Sequence, residues 1–82
     1  MRFYFARSAR RHKIGKAHVV AALANAGTPV LAVDPQGKPQ LHWIALDDRG
    51  IELHIAGRPS IEDPSDLVII VHVQPTNQRG LS

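Results

Sequence analysis

The spacing of apolar residues changes at Gly27, and this change constrains the fold more than any other feature of the chain. Before Gly27, the apolar residues of segment 16–26 have the spacing of one helix face: Val19, Ala22, Leu23 and Ala26. Gly27 stands where a helix cap is expected, and Thr28-Pro29 prevents the helix from continuing. After Gly27 apolar and polar residues alternate, which indicates strands with one buried face. The chain is therefore expected to begin with helices and to continue as a β-meander.

Two short helices are predicted before this point. The first, Ala6–His12, has helical propensity but little apolar content, so it depends on its neighbours for stability. Gly15 separates it from the second, which starts at Lys16. Ahead of both, Arg2–Phe5 is an edge strand or a lead-in, with Phe3 and Phe5 on one side and Tyr4 on the other.

The meander is predicted from short alternating runs separated by turns. Val30–Val33, Leu41–Leu46 and segment 51–56 are strands, and Asp34–Gly37 and Asp47–Gly50 are turns. Trp43 is expected in the core. Gly57–Asp66 is predicted as a loop, and Leu67–Val73, apolar on both faces, as the central strand. The predicted fold class is α+β, with two short N-terminal helices packed on one face of a three- or four-stranded antiparallel sheet, in one domain over residues 1–82.

The charge distribution favours a polyanionic partner. Residues 1–27 contain six basic residues and no acid, whereas residues 28–82 contain four basic and seven acidic residues. A basic segment of this kind is typical of nucleic-acid binding, although a solvated helix face or an acidic protein partner explains it as well. The chain has no cysteine, which excludes disulfides, thiolate zinc sites and iron–sulfur clusters. It shows no membrane span or export signal, so we expect a cytoplasmic protein.

The five histidines raise the question of a metal site. His12 and His18 do not have the spacing of a helical metal pair. His42, His54 and His72 lie on three predicted strands and converge only if all three project from one face. We therefore expect no metal and no other cofactor.

The same histidines suit acid–base chemistry on RNA. RNA is cleaved when its 2′-OH attacks the adjacent phosphate, which requires a base, an acid and cations around the phosphorane. His72 interrupts an apolar strand, and simple alternation places it on the face shared with Val68 and Ile70. It is either a partly buried histidine bonded to a neighbour or a site residue followed by Arg79 on the tail. His54 shares a face with Glu52 and is more easily explained as part of a solvated face.

Cations for the phosphate are available in the N-terminal segment. Its basic residues form a belt, beside which Gly15 starts the second helix with free N–H groups. The substrate-binding candidates are Arg7, Arg10, Lys13, Lys16 and His54.

The order of these elements resembles the RelE/ParE superfamily of small bacterial toxins, with the BrnT-like branch as the nearest match. The resemblance is carried by the basic helix Ser8–His12, the Ile14-Gly15 break, the alanine-rich helix ending at Gly27 and the final segment VIIVHVQPTNQR. It implies a RelE-like fold and a metal-independent endoribonuclease that cleaves mRNA, on or off the ribosome. It also implies a cognate antitoxin as partner, with homo-oligomers or toxin–antitoxin heteromers as the assembled form.

The resemblance also implies site residues. The positions that match are Arg10, Arg11 and His12 on the first helix, and His72 and Arg79 at the end of the chain. His72 or His12 would transfer the proton, and Arg11, Arg79 and Arg7 would stabilise the phosphate. Many relatives carry a base-stacking tyrosine near the C-terminus, whereas segment Gln74–Ser82 has no aromatic residue. Two other functions stay open: a non-catalytic basic module that binds nucleic acid or an acidic protein, and a toxin that poisons a protein target such as gyrase.

Overall fold

The change from helical to alternating spacing at Gly27 separates two parts of the fold. A computed structural model describes residues 2–10 and 14–76, with the side chain of Arg10 outside the description. A short strand β1 (Arg2–Phe5), a 3-10 helix (Arg7–Arg10) and one α-helix, α1 (Lys16–Asn25), precede Gly27. Four strands follow, β2 (Val30–Val33), β3 (Pro39–Leu46), β4 (Glu52–Pro59) and β5 (Leu67–Pro75).

The predicted fold class is wrong both in its sheet and in its number of helices. The five strands form one mixed sheet in the order β1-β5-β4-β3-β2, in which β1 runs parallel to β5, so the sheet is neither three- or four-stranded nor purely antiparallel. The described residues contain one α-helix rather than two, because the arginine-rich first segment buries little more than Ala9, and its described part forms a 3-10 helix at Arg7–Arg10. The RelE-like arrangement expected from the resemblance is therefore not what the chain adopts.

The C-terminal strands differ from prediction in two further ways. The middle position of the sheet belongs to β4 and not to the segment Leu67–Val73, since β1 pairs with the far side of β5. β4 also continues through Pro59, so the predicted loop Gly57–Asp66 is shorter. Gly57 makes this extension possible, because a Cβ there would lie 2.8 Å from Cγ1 of Val68 on the neighbouring strand.

The helix from Lys16 and the two turns are confirmed, but the helix ends earlier than predicted, with Ala26 rather than Gly27 as its C-cap. Asp34 and Asp47 each open a turn by accepting hydrogen bonds from backbone N–H groups two and four residues later. Gly37 and Gly50 complete these turns with φ values of 82° and 79°, a conformation that favours glycine.

Alternation along the strands gives the sheet one buried face. α1 packs Val19 and Ala22 onto β3 and β4, where the core contains Leu53, Ile55 and, as predicted, Trp43. We call this the inner face and the opposite one the outer face. Within residues 2–10 and 14–76, no helix is long and apolar enough to cross a membrane.

Candidate functional site

Three histidines meet on the outer face of the sheet, one from each of three neighbouring strands. Nδ1 of His42 on β3 lies 2.9 Å from Nε2 of His54 on β4, within hydrogen-bond distance, and the two rings are stacked with centroids 5.2 Å apart. The ring of His72 on β5 meets that of His54 edge-on, with centroids 6.1 Å apart. All three side chains are half-buried. We call His42, His54 and His72 the histidine cluster.

The register of the sheet brings the histidine cluster together around Ala56. Ala56 on β4 lies opposite His42 on one side and His72 on the other, and His54 precedes it by two residues on the same face. Ala56 is only 5% exposed, although it points away from the main core. The imidazole rings therefore cover Ala56, whose small side chain forms the floor between His42 and His72.

A β-bulge decides the orientation of His72. Gly57 pairs with Ile70 and the adjacent Ala56 pairs with His72, so Val71 is an extra residue on β5. Before the bulge Val68 and Ile70 point into the core, and after it Val73 does so, whereas His72 points outward. The prediction that His72 shares a face with Val68 and Ile70 is therefore wrong, because it assumed uninterrupted alternation.

The environment of His54 favours its neutral form. Burial lowers the pKa of His54, and the charges that His42 and His72 can carry lower it further. The hydrogen bond to His42 uses Nε2, and Nδ1 has no hydrogen-bond partner among the described residues. In the tautomer in which Nε2–H of His54 donates to Nδ1 of His42, Nδ1 of His54 carries a free lone pair. A neutral imidazole held in this way is suited to accept a proton.

Arg58 supplies a positive charge on the same face. It follows Ala56 by two residues on β4, which places its Cα about 7 Å further along the strand. The Nε atom of Arg58 is buried and has no hydrogen-bond partner within the described part of the chain. A guanidinium with an unsatisfied donor beside imidazoles is suited to bind an anion such as phosphate.

The structure brings only part of the predicted site together. His54 and His72 are neighbours, and Ser8 Oγ donates to the carbonyl of Val71, which places the 3-10 helix containing Arg7 at the edge of β5 next to His72. Lys16 lies apart, because its Nζ is 5.3 Å from the ring centroid of Phe5, which packs against the core on the inner face. Arg11, His12, Lys13 and Arg79, together with the side chain of Arg10, lie outside the description.

His42 and Arg58 are not among the site residues predicted from the sequence. The alternation of residues along each strand does assign both to a face. His42 lies on the face of β3 opposite the buried Trp43, and Arg58 lies on the same face of β4 as His54. Neither identifies a site without the register that joins β3, β4 and β5. The sequence predicts that His42, His54 and His72 converge only if they project from one face. The structure shows that they do.

A second cluster of possible ligands has a structural explanation. Among the described residues, His18, Asp47 and Asp48 have side-chain atoms within 4.8 Å of one another. Both carboxylate oxygens of the buried Asp47 already accept hydrogen bonds from Arg49 or from the Ile51 backbone. His18 Nδ1 lies 2.6 Å from Oδ1 of Asp48, which fastens α1 to the turn after β3. This cluster therefore closes a turn and holds the helix.

Comparisons with protein-family models, with curated proteins and with solved structures gave no match for this chain. A function must therefore be inferred from the chemistry of the histidine cluster and its surroundings.

Proposed function

We propose that the histidine cluster is the acid–base centre of a metal-independent endoribonuclease. The observation that carries this proposal is the convergence of His42, His54 and His72 on one accessible sheet face, with Arg58 nearby. Cleavage by the 2′-OH of RNA needs two proton-transfer groups on either side of a phosphate. Two imidazoles whose centroids lie 6.1 Å apart can act on neighbouring oxygens of one phosphodiester.

The environments of the imidazoles assign their roles. His54, whose pKa is lowered by burial and by its neighbours, is neutral near pH 7 and accepts the proton of the 2′-OH. His42 fixes the orientation of His54 through their hydrogen bond. His72 donates a proton to the departing 5′-oxygen. The 2′-oxygen forms a bond to phosphorus as the bond to the 5′-oxygen breaks, which leaves a 2′,3′-cyclic phosphate and a 5′-hydroxyl.

Arg58 is the cation that we assign to the phosphate. Its planar guanidinium can bind two oxygens of the phosphorane, whose negative charge grows in the transition state. Arg7, at the edge of β5, extends the positive surface towards the neighbouring nucleotides. Lys16, on the inner face, is not part of this binding surface.

The cellular role that we propose is that of a toxin acting on mRNA in the cytoplasm and restrained by an antitoxin. This role rests on the sequence resemblance and not on the geometry of the cluster. Expression without the antitoxin should arrest growth and degrade transcripts, and the combined His54→Gln and His72→Gln variant should relieve both effects. Arrest of DNA replication with intact RNA would instead indicate a protein target such as gyrase.

Cleavage of a fluorescent single-stranded RNA in the presence of EDTA tests the chemistry. A general acid or base contributes about 10²- to 10⁴-fold to a rate, so His54→Gln and His72→Gln should each lower cleavage at least about 100-fold. His18→Gln is the matched control, because His18 is also half-buried but pairs with Asp48 away from the cluster.

Arg58→Gln should weaken RNA binding and lower the rate of cleavage, while leaving the pH profile of cleavage unchanged. RNA binding with steep salt dependence and no cleavage would contradict the ribonuclease and favour the non-catalytic binding module. Equal loss of activity in His18→Gln and His54→Gln would contradict the assignment of the site.

A further inference from the structure

β2 forms an edge of the sheet that lacks the usual protection of a monomeric protein. Its four residues are all apolar, and Val30, Leu31 and Val33 are 67%, 67% and 68% exposed. Leu31 and Val33 belong to the inner face, but α1 packs on β3 and β4 and does not cover them. Natural edge strands are commonly protected by charges, prolines or bulges, and β2 contains none of these.

The other edge of the sheet, β1, is protected in this way. Arg2 on β1 forms ion pairs with Asp63 and Asp66, at 3.1 Å and 2.7 Å. A second chain that approached β1 would meet these charged groups. The two edges therefore differ, and within residues 2–10 and 14–76 nothing pairs with the outer side of β2.

The turn after β2 determines which residues of β2 direct their backbone N–H and C=O groups towards β3 and which direct them towards the free edge. The N–H of Asp34 donates to the carbonyl of Lys38 at 2.9 Å, so Asp34 directs its backbone groups towards β3. By alternation Ala32 and Val30 do the same. Leu31 and Val33 therefore direct their N–H and C=O groups to the free edge.

We propose that two copies of this chain join through β2, antiparallel and about a twofold axis at Ala32, into one continuous sheet. In this register Leu31 of each copy lies opposite Val33 of the other, and the outward N–H and C=O groups of both residues are paired. The register also places two apolar Leu31–Val33 pairs on the inner face. Ala32 of one copy lies opposite Ala32 of the other, where the Cα atoms are about 4.5 Å apart and a small side chain fits.

The prolines on either side of β2 select this register when two copies pair. Pro29 and Pro35 are the next residues that, like Leu31 and Val33, face the free edge by alternation, and they have no N–H to donate. Any shift by two residues would place a proline opposite Leu31 or Val33 and leave the carbonyl of that residue without a donor. Because the free edge is complementary to itself, a second copy satisfies it without any other partner.

The small contact predicts a weak dimer. Stable protein interfaces bury about 1,200–2,000 Å² in total, and a pair of four-residue strands lies below that range. We therefore expect dissociation constants in the micromolar range or above, with a monomer–dimer exchange that depends on concentration.

Sedimentation and light scattering across a broad range of protein concentrations test this proposal. Leu31→Pro removes an N–H that β3 does not use, and Val33→Lys places a charge on the edge; each should raise the dissociation constant about 10-fold or more. Ile61→Lys is the matched control, because Ile61 is 99% exposed in the loop before β5 and its change should leave the constant within about 2-fold.

Amide exchange by NMR distinguishes this interface from any other dimer. The amides of Leu31 and Val33 should gain protection as the protein concentration rises, whereas those of Val30 and Ala32 are protected at every concentration by β3. In a mixture of labelled and unlabelled protein, an Hα–Hα contact between the two Ala32 residues should appear. A monomer at all concentrations, or a dimer that both β2 variants leave unchanged, would overturn the proposal.

Discussion

Mild acid is expected to destabilise the protein through His54. Burial and the neighbouring His42 and His72 hold the pKa of His54 below its ordinary value. The unfolded chain, in which this pKa is about 6.5, then binds a proton more readily than the folded chain. The stability linked to His54 is therefore fully present above about pH 6.5 and is lost as the pH falls through the folded pKa.

Burial of His54 is the larger cause of its lowered pKa, and the distance between the rings of His42 and His54 gives the size of the repulsion that adds to it. Two unit charges 5.2 Å apart repel by about 0.8 kcal/mol at a dielectric constant near 80 and by about 3 kcal/mol near 20. Because the rings are partly exposed and salt screens them, we expect a loss nearer to the lower value, about 1 kcal/mol.

Urea unfolding between about pH 8 and about pH 5, followed by the fluorescence of the buried Trp43, measures this loss. His54→Gln serves as the reference, because glutamine can bond to His42 but cannot take up a proton. The free energy of unfolding of the wild type should fall about 1 kcal/mol further than that of the variant over this range. Parallel pH profiles for the two proteins would refute the coupling within the histidine cluster.

Two predictions concern the frame around the cluster. Gly57→Ala should lower the free energy of unfolding by about 1–3 kcal/mol, since the added Cβ would meet Cγ1 of Val68 at 2.8 Å. In the same urea titration, Gly27→Ala should change the free energy of unfolding by less than about 0.5 kcal/mol, because the space around Gly27 is open. Asp47→Ala should lower the Tm by about 5–10 °C, because Asp47 bonds to Arg49 and to the backbone of Ile51. Asp48→Ala is the control and should lower the Tm clearly less. Equal Tm values for the two variants in a calorimeter would contradict this.

The local elements could be predicted because each is specified by nearby residues. The helix from Lys16, the Asp-to-Gly turns and the opposite faces of His42 and Trp43 follow from spacing within a few positions. The strand neighbours could not be predicted. β1 pairs with β5 across most of the length of the chain, and no local pattern shows that this pairing is parallel.

The site was only partly predictable for the same reason. Three histidines on separate strands form a cluster only in one register, and register is set by the whole sheet. The bulge has no signal in the sequence, since Ile70 and Val71 are both β-branched and either suits a strand. The orientation of His72 therefore had to come from the structure.

The bulge itself leads to a last prediction, the deletion of Val71. Without this residue, regular alternation leaves Ile70 inward, His72 outward and Val73 inward, which is the arrangement that the bulge produces. The deletion should therefore preserve the fold and the cluster, with the loss of the hydrogen bond from Ser8 to the Val71 carbonyl, worth about 1 kcal/mol. An NMR contact between the rings of His54 and His72 should persist in the folded variant.

Deletion of Ile70 instead is the matched control, since it removes a fully buried side chain from the same strand and requires Val71 to fill its position. The control should lose more stability than the Val71 deletion, because the core exchanges an isoleucine for a smaller valine, a change of about 0.5–1.5 kcal/mol. If the Val71 deletion unfolds the protein, or separates the rings of His54 and His72, then Val71 is not an inserted residue. The bulge would then be part of what positions the imidazole of His72, and the histidine cluster would depend on it.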